Sequence, residues 1–230
     1  MPGRPEGLLL VDKPAGVTSH DVVMIVRRVY DEKSIGHLGT LDPFATGLLV
    51  LLLGRSTRLA NFIETEPKVY DATIAFGSET DTDDSTGSII HQSEVPSQEA
   101  VDTAIPGLTG LIEQVPPDFS AKSVDGVRAY DAARKGAALA LAPVKVNVHE
   151  WKIRRRSADS MDVTITCGTG TYIRALARDL GRASGSAAHL TALRRIRSGE
   201  FNVDDAASVE QLKLEPPPLR ELKVIALPAQ

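Results

Sequence analysis

The chain is expected to fold as an α+β protein, because segments of strand period and of helix period are mixed along its 230 residues with no linker between them. Two observations carry that expectation. Apolar residues recur at every second position between Lys68 and Phe76, in Val144, Val146 and Val148, and in Val163, Ile165 and Cys167, which puts them on one face of an extended strand. Elsewhere they recur at i, i+3, i+4 and i+7, the stripe of an amphipathic helix, as in Val22, Ile25, Val26 and Val29. A hydrophobic content of 42% is ample for one buried core, and a single domain is the expectation.

In chain order, Gly7 to Val11 reads as a strand that runs into a turn at Asp12-Lys13-Pro14-Ala15-Gly16. Ser19 is the expected cap of the helix that follows, and that helix should pack on a sheet. Tyr70, Ala72, Ile74 and Phe76 form one face of the next strand, with Asp71 and Thr73 on the other. A second helix is expected where Ile173, Leu176, Ala177 and Leu180 repeat, joined by Gly168 to Gly170 to the strand that ends near Cys167. The acidic stretch Glu79 to Asp84 and the segment Asp118 to Ala142 are the expected surface insertions. Pro216-Pro217-Pro218 marks a change of direction before a last apolar run, Val224 to Leu227.

Composition narrows the function classes. No run of 18 apolar residues exists to span a membrane; the best, Thr46 to Gly54, stops at Arg55. Met1 to Glu6 is not followed by a signal-peptide core, so the chain is expected to start there, in the cytoplasm. One cysteine excludes an intrachain disulfide and thiolate metal sites, and the five histidines lack paired metal-ligand spacing, so no metal is expected. A net charge of −4 means that any nucleic-acid contact must use a local basic face.

The segment Gly36-His37-Leu38-Gly39-Thr40-Leu41-Asp42-Pro43-Phe44-Ala45-Thr46-Gly47-Leu48-Leu49 holds three glycines and a proline, the mark of an irregular loop that presents one carboxylate. Taken alone, an Asp-Pro pair is more often turn chemistry. The whole string, however, closely resembles the catalytic loop of the TruB family of pseudouridine synthases, Gly-His-x-Gly-Thr-Leu-Asp-Pro-x-Ala-x-Gly, although Leu38 departs from the usual threonine or serine. The resemblance extends to Leu10-Val11-Asp12-Lys13-Pro14-Ala15-Gly16-Val17-Thr18-Ser19, to Lys68-Val69-Tyr70 before Thr80-Asp81-Thr82-Asp83, and to Gln114-Val115-Pro116-Pro117-Asp118-Phe119 with Gly126, Tyr130 and Arg134. It ends with Gly170-Thr171-Tyr172-Ile173-Arg174 through Gly181, then Ala188-His189-Leu190 and Leu193-Arg194-Arg195. Phe119, Ser123 and Thr169 stand where the family usually has tyrosine, lysine and lysine. Lys122 and Arg128 are the basic residues that could share the phosphate contacts.

The resemblance implies the pseudouridine synthase fold, a central mixed, mostly antiparallel sheet flanked by helices and loops, with a catalytic domain over 1–205. It further implies a mobile RNA-gripping insertion over 118–142 and a short extension over 206–230 in place of a complete C-terminal PUA domain. It implies an isomerase that converts the T-loop uridine at position 55 of tRNA to pseudouridine, needs no cofactor, binds the T-loop and T-stem, and acts as a monomer without an obligatory protein partner. Asp42, Tyr70 and Arg174 become the catalytic set, and His37, Tyr70, Tyr172 and Leu193 the substrate contacts. His37 is the side chain to fill the space of a displaced nucleotide, and Arg174 the cation to pair with a carboxylate such as Asp42. By residue habits alone, Tyr70 would be a core tyrosine, and Arg174, Arg194, Arg195 and Arg197 solvated charges. The competing functions are a guide-RNA-dependent synthase subunit, a non-catalytic tRNA-binding or tRNA-folding protein, and a protein unrelated to RNA.

Overall fold

A computed structural model describes residues 5–119, 123–124, 127–128 and 141–222. In chain order the strands and helices are β1 (Gly7–Lys13), α1 (Ser19–Tyr30), β2 (Ile35–His37), β3 (Thr46–Leu53), β4 (Lys68–Phe76), β5 (Ser78–Thr80), β6 (Ile89–Gln92), α2 (Gln98–Ala104), β7 (Gly110–Gln114), β8 (Ser123–Val124) and β9 (Val127–Arg128). They continue with β10 (Val144–Arg156), β11 (Ser160–Cys167), α3 (Ile173–Ala183), β12 (Ala188–Ser198), β13 (Phe201–Asn202), β14 (Ala207–Ser208) and α4 (Val209–Leu214). The fold is α+β, as expected. Two compact units arise, Met1–Thr65 with Arg194–Gln230, and Glu66–Leu193. The expectations for Lys122, Gly126, Tyr130, Arg134, most of Asp118 to Ala142, the side chain of Arg128, and Val224 to Leu227 lie outside the described residues.

In the first unit, β1 and β3 pair antiparallel along their whole length, from Gly7↔Leu53 to Lys13↔Gly47. The other edge of β3 is shared: β2 pairs antiparallel with Leu51 to Leu53, and β12 pairs parallel with Thr46 and Gly47. Alternate residues of the β1–β3 pair feed two cores. Leu9, Val11, Leu49, Leu51 and Leu53 meet Val22, Val23 and Val26 of α1 and Val209 and Leu212 of α4. Leu8, Leu10, Leu48, Val50 and Leu52 meet Phe201 and Val203. Covered on both faces, β3 needs no polar alternation, which is why its run of leucines carries no strand period. The cap of α1 is Thr18 rather than Ser19: its side chain accepts from the Asp21 amide at 3.0 Å, and the Asp21 carboxylate accepts in return from the Thr18 amide at 2.9 Å. Ser19, one residue later, is freed for another role.

In the second unit the strand order is β12-β4-β11-β10-β7. The expected alternation holds. Ala72, Ile74, Val163, Ile165 and Cys167 are buried, while the opposite face is joined by Thr73 donating to Asp162 and Thr164 donating to Asp71, each at 2.7 Å. The acidic stretch is not a surface insertion. Glu79, Asp83 and Asp84 are all under 8% exposed, because α3 turns a row of arginines toward them. Arg182 grips Glu79 through two bonds of 2.8 and 2.6 Å, and Arg178 pairs with Asp83 at 2.9 Å. Burial nevertheless pushes the Asp83 carboxyl up to about 6, outweighing Arg178.

Candidate active site

Asp42 sits between two anchored neighbours in the first unit. On one side the buried Ser19 hydroxyl donates to the Leu41 carbonyl at 3.1 Å and accepts from the Leu41 amide at 2.9 Å. On the other, the Pro43 carbonyl accepts from Lys13 Nζ at 3.3 Å and from the Gly16 amide at 2.8 Å. The Ala45 amide closes the turn on the Asp42 carbonyl at 3.1 Å. Asp42 is thereby held through its main-chain neighbours, and its side chain remains partly exposed. A carboxylate set this way needs little reorganisation before it acts.

The rest of the loop is tied down by Arg195. Between the short pairings of β3 with β2 and β12, the Val50 carbonyl accepts from the Leu38 amide at 2.9 Å, and the Leu48 carbonyl accepts from Arg195 Nε at 2.7 Å. A second nitrogen, Arg195 Nη2, donates to the Gly39 carbonyl at 3.1 Å. The guanidinium stands in for a missing strand, and at 1% exposure it is not the solvated charge that residue habits suggest. Replacing Arg195 with leucine removes two charge-assisted bonds of about 1.5 kcal/mol or more each, so a loss of about 3 kcal/mol is expected. A thermal melt should show it as a fall of about 6–12 °C, and an unchanged melt would contradict the anchoring role.

Lys13 is fully buried, with Nζ donating to the carbonyls of Pro14 at 2.9 Å and Val17 at 2.8 Å besides that of Pro43. Burial lowers its pKa to about 8, with Asp42 pulling it up and Arg195 pushing it down. The ammonium has three protons for its three carbonyls, and the neutral amine has two. Turnover is therefore expected to fall through an apparent pKa of about 8 as pH rises, and a flat profile to pH ~9.5 would separate loop geometry from the lysine charge. His37, at the end of β2, is held below its usual pKa by burial, Arg195 and His20, and its Nδ1 has no hydrogen-bond partner among the described residues.

The other candidates lie in the second unit. Tyr70 on β4 is opposite Ile165 and 8% exposed, and Leu193 closes the β12 half of this unit at 7%. Tyr172 precedes α3, and its backbone is bound in both directions by the buried Gln114 side chain, at 2.9 and 3.1 Å. Arg174, 3% exposed, donates to the Thr82 carbonyl at 2.8 Å and the Phe119 carbonyl at 2.9 Å, and lies 3.8 Å from the Asp84 carboxylate. Each unit thus gathers its own part of the set: Asp42 and His37 on one loop, Tyr172 and Arg174 on one helix start. Among the described residues, no group of three or more His, Cys, Asp or Glu side chains is placed to hold a metal ion, and no helix is long and apolar enough to cross a membrane.

Residues 27–173 match the model of the TruB family pseudouridylate synthase N-terminal domain, and 174–216 that of the tRNA pseudouridylate synthase B C-terminal domain. The chain belongs to the TruB family. Among curated TruB relatives, the tRNA pseudouridine synthase B of Thermobifida fusca (strain YX) is 45% identical over 98% of this chain and 81% of its own length. That of Arthrobacter sp. (strain FB24) is 46% identical over 91% and 71%. A chain in the crystal structure of a Cbf5-Nop10-Gar1 complex superposes with a TM-score of 0.68 at 26% identity, over 89% of this chain and 53% of the other. Activity follows the family: this is a tRNA pseudouridine synthase, an isomerase.

Within the TruB motifs, the structure shows what several residues outside the expected site do. Lys13 and Ser19 belong to the opening motif and brace the loop on either side of Asp42, and Arg195 closes it from β12. Their only sequence signal was membership of a matched motif. Lys68 Nζ donates at 3.2 Å to the hydroxyl of Thr169, the residue found in place of the usual lysine.

Proposed function

We propose that this synthase acts on the T-loop uridine at position 55 of tRNA, with Asp42 as the reacting carboxylate. The observation that supports it best is the two-sided bracing of Asp42 by Ser19 and Lys13, which presents a single fixed carboxylate on the loop that follows His37. Isomerisation breaks the bond from N1 to C1′, joins C5 to C1′ and moves one proton from C5 to N1, so no group is transferred to another molecule and no electrons are gained or lost. The reaction needs an ionised carboxylate at C1′, able either to attack the sugar or to take a proton during cleavage. Tyr70, with Tyr172 and Leu193, offers the freed uracil aromatic and apolar walls along which it can turn. Arg174 supplies the buried positive charge of the set. His37, uncharged at neutral pH, fills the space left when the target nucleotide leaves its stack, offsetting a cost of a few kcal/mol.

The catalytic domain is taken as 1–205, with 118–142 gripping the RNA and 206–230 as a short extension. The enzyme works as a monomer on the T-loop and T-stem, without a protein partner or a cofactor. Unpaired loops suit such a site because a deep, narrow A-form groove hides base edges that a loop can splay out. The test is an unmodified tRNA transcript incubated with the protein alone, with chelator present, followed by nucleotide-resolution mapping. Pseudouridine at position 55 only is the expected result. Pseudouridine elsewhere, or formation only with a guide RNA or added protein, would overturn the reading.

A further inference from the structure

Helix α3 carries Arg174, Arg178 and Arg182 at intervals of four, so the three stack on one face. Each reaches the 79–84 segment: Arg182 holds Glu79 with two nitrogens, Arg178 holds Asp83 with Nη1 while its Nε donates to Asp179, and Arg174 holds the Thr82 carbonyl. Two of them spend a second arm elsewhere. Arg178 Nη2 donates to the Val115 carbonyl at 2.8 Å, and Arg174 Nη2 to the Phe119 carbonyl at 2.9 Å. Gln114, fully buried, closes the same junction by binding the amide and carbonyl of Tyr172.

These bonds fall on the root of the 118–142 segment. Pro116 and Pro117 have no amide hydrogen to offer, the carbonyls of Val115 and Phe119 are held by the two arginines, and the prolines make a stiff span between these points. Val115 is 42% exposed, which leaves its side chain little part in locating it. If the ion pair with Asp83 were the whole role of residue 178, a lysine there would serve as well. The planar fork of an arginine is what reaches Asp83 and Val115 together.

We propose that Arg178, oriented by Asp83, is a positioning residue that fixes the root of the 118–142 segment to α3, coupling RNA held by that segment to that helix. The coupling rests on the reading of 118–142 as RNA-gripping. The clamp itself does not. Lysine at 178 keeps the charge and the reach to Asp83 but loses the second arm, so Arg178→Lys should behave like Arg178→Met and not like wild type.

The test combines amide hydrogen exchange of the RNA-free full chain with steady-state kinetics on tRNA for both variants. Exchange at Gln114, Val115 and Phe119 is expected to quicken by about tenfold or more, while amides of β1 and β3 keep the wild-type rate. KM for tRNA is expected to rise about five- to tenfold with kcat within about twofold, a split that mere loss of folded protein, which lowers kcat at constant KM, does not give. If Arg178→Met strands Asp83 and unfolds the chain, the double variant Arg178→Met with Asp83→Asn removes both charges and carries the same expectation. Unchanged exchange at 114–119, or full recovery in Arg178→Lys, overturns the clamp. Faster exchange with an unchanged KM leaves the clamp standing and overturns the RNA grip, and with it the coupling.

Discussion

Asp42→Asn is expected to lower pseudouridine formation by about 10⁴-fold or more while tRNA affinity stays within a few-fold of wild type. The substitution removes a charge and keeps the size of the side chain. The anchors on either side act on the main chain of Leu41 and Pro43, and the turn is closed by the Asp42 carbonyl, so asparagine should inherit the same loop. What it lacks is a carboxylate oxygen able to attack C1′ or to accept a proton. Single-turnover reaction with tRNA transcript, quantified at the T-loop position, is the measurement. A residual rate above about a hundredth of wild type would mean that Asp42 only assists, and the carboxylate chemistry would have to be sought elsewhere.

The same anchors explain why a pH dependence should come from Lys13. Its folded pKa of about 8 lies below the ordinary lysine value of 10.5, so the folded chain binds fewer protons than the unfolded one between these limits. By linkage, this group's contribution to stability grows as pH rises across that window. Activity and the Lys13 contribution to stability should therefore move in opposite directions through pH 8 to 10, because the charge that burial disfavours is the one that completes the hydrogen bonds of the loop.

How far the sequence could be read depended on whether a residue's role was local or tertiary. Strands β4, β10 and β11 were legible because one face is buried and the other is not, and alternation reports that directly. β3 was read only as a run too short to cross a membrane, since burial of both its faces erases the alternation. Arg195 and the acidic stretch misled for a common reason. A charge looks solvated until its partner is known, and the partners of Glu79, Asp83 and Arg195 lie 103, 95 and 147 residues away in the chain. Asp42 and His37 were legible through the resemblance, whereas the bracing by Ser19 and Lys13 was not, because Ser19 also fits the pattern of a helix cap. The cap moved one residue earlier to Thr18 and left Ser19 to hold the loop.

Gly47→Ala is expected to cost about 4 kcal/mol or more, among the largest effects available to one methyl group. Gly47 lies where three strands meet: it is opposite Lys13 of β1 on one side and Arg195 of β12 on the other. Its φ of 102° belongs to the left-handed half of the map, which by itself disfavours alanine by about 1–2 kcal/mol. The larger part is steric. A β-carbon would overlap the Arg195 carbonyl oxygen and approach the Arg195 amide nitrogen to 2.8 Å, and backbone, unlike a flexible side-chain tip, cannot swing aside. β12 would have to withdraw from β3, taking with it the guanidinium that bonds Leu48 and Gly39. The damage should reach the Asp42 loop as well as the sheet, with a melting temperature about 8–16 °C lower and activity lost beyond the unfolded fraction. Gly16→Ala is the control: at a φ of 83° it bears the same conformational penalty, but its β-carbon would meet nothing within 4 Å. If the two variants melt together, strand crowding at Gly47 is not what selects glycine there, and backbone conformation alone accounts for both.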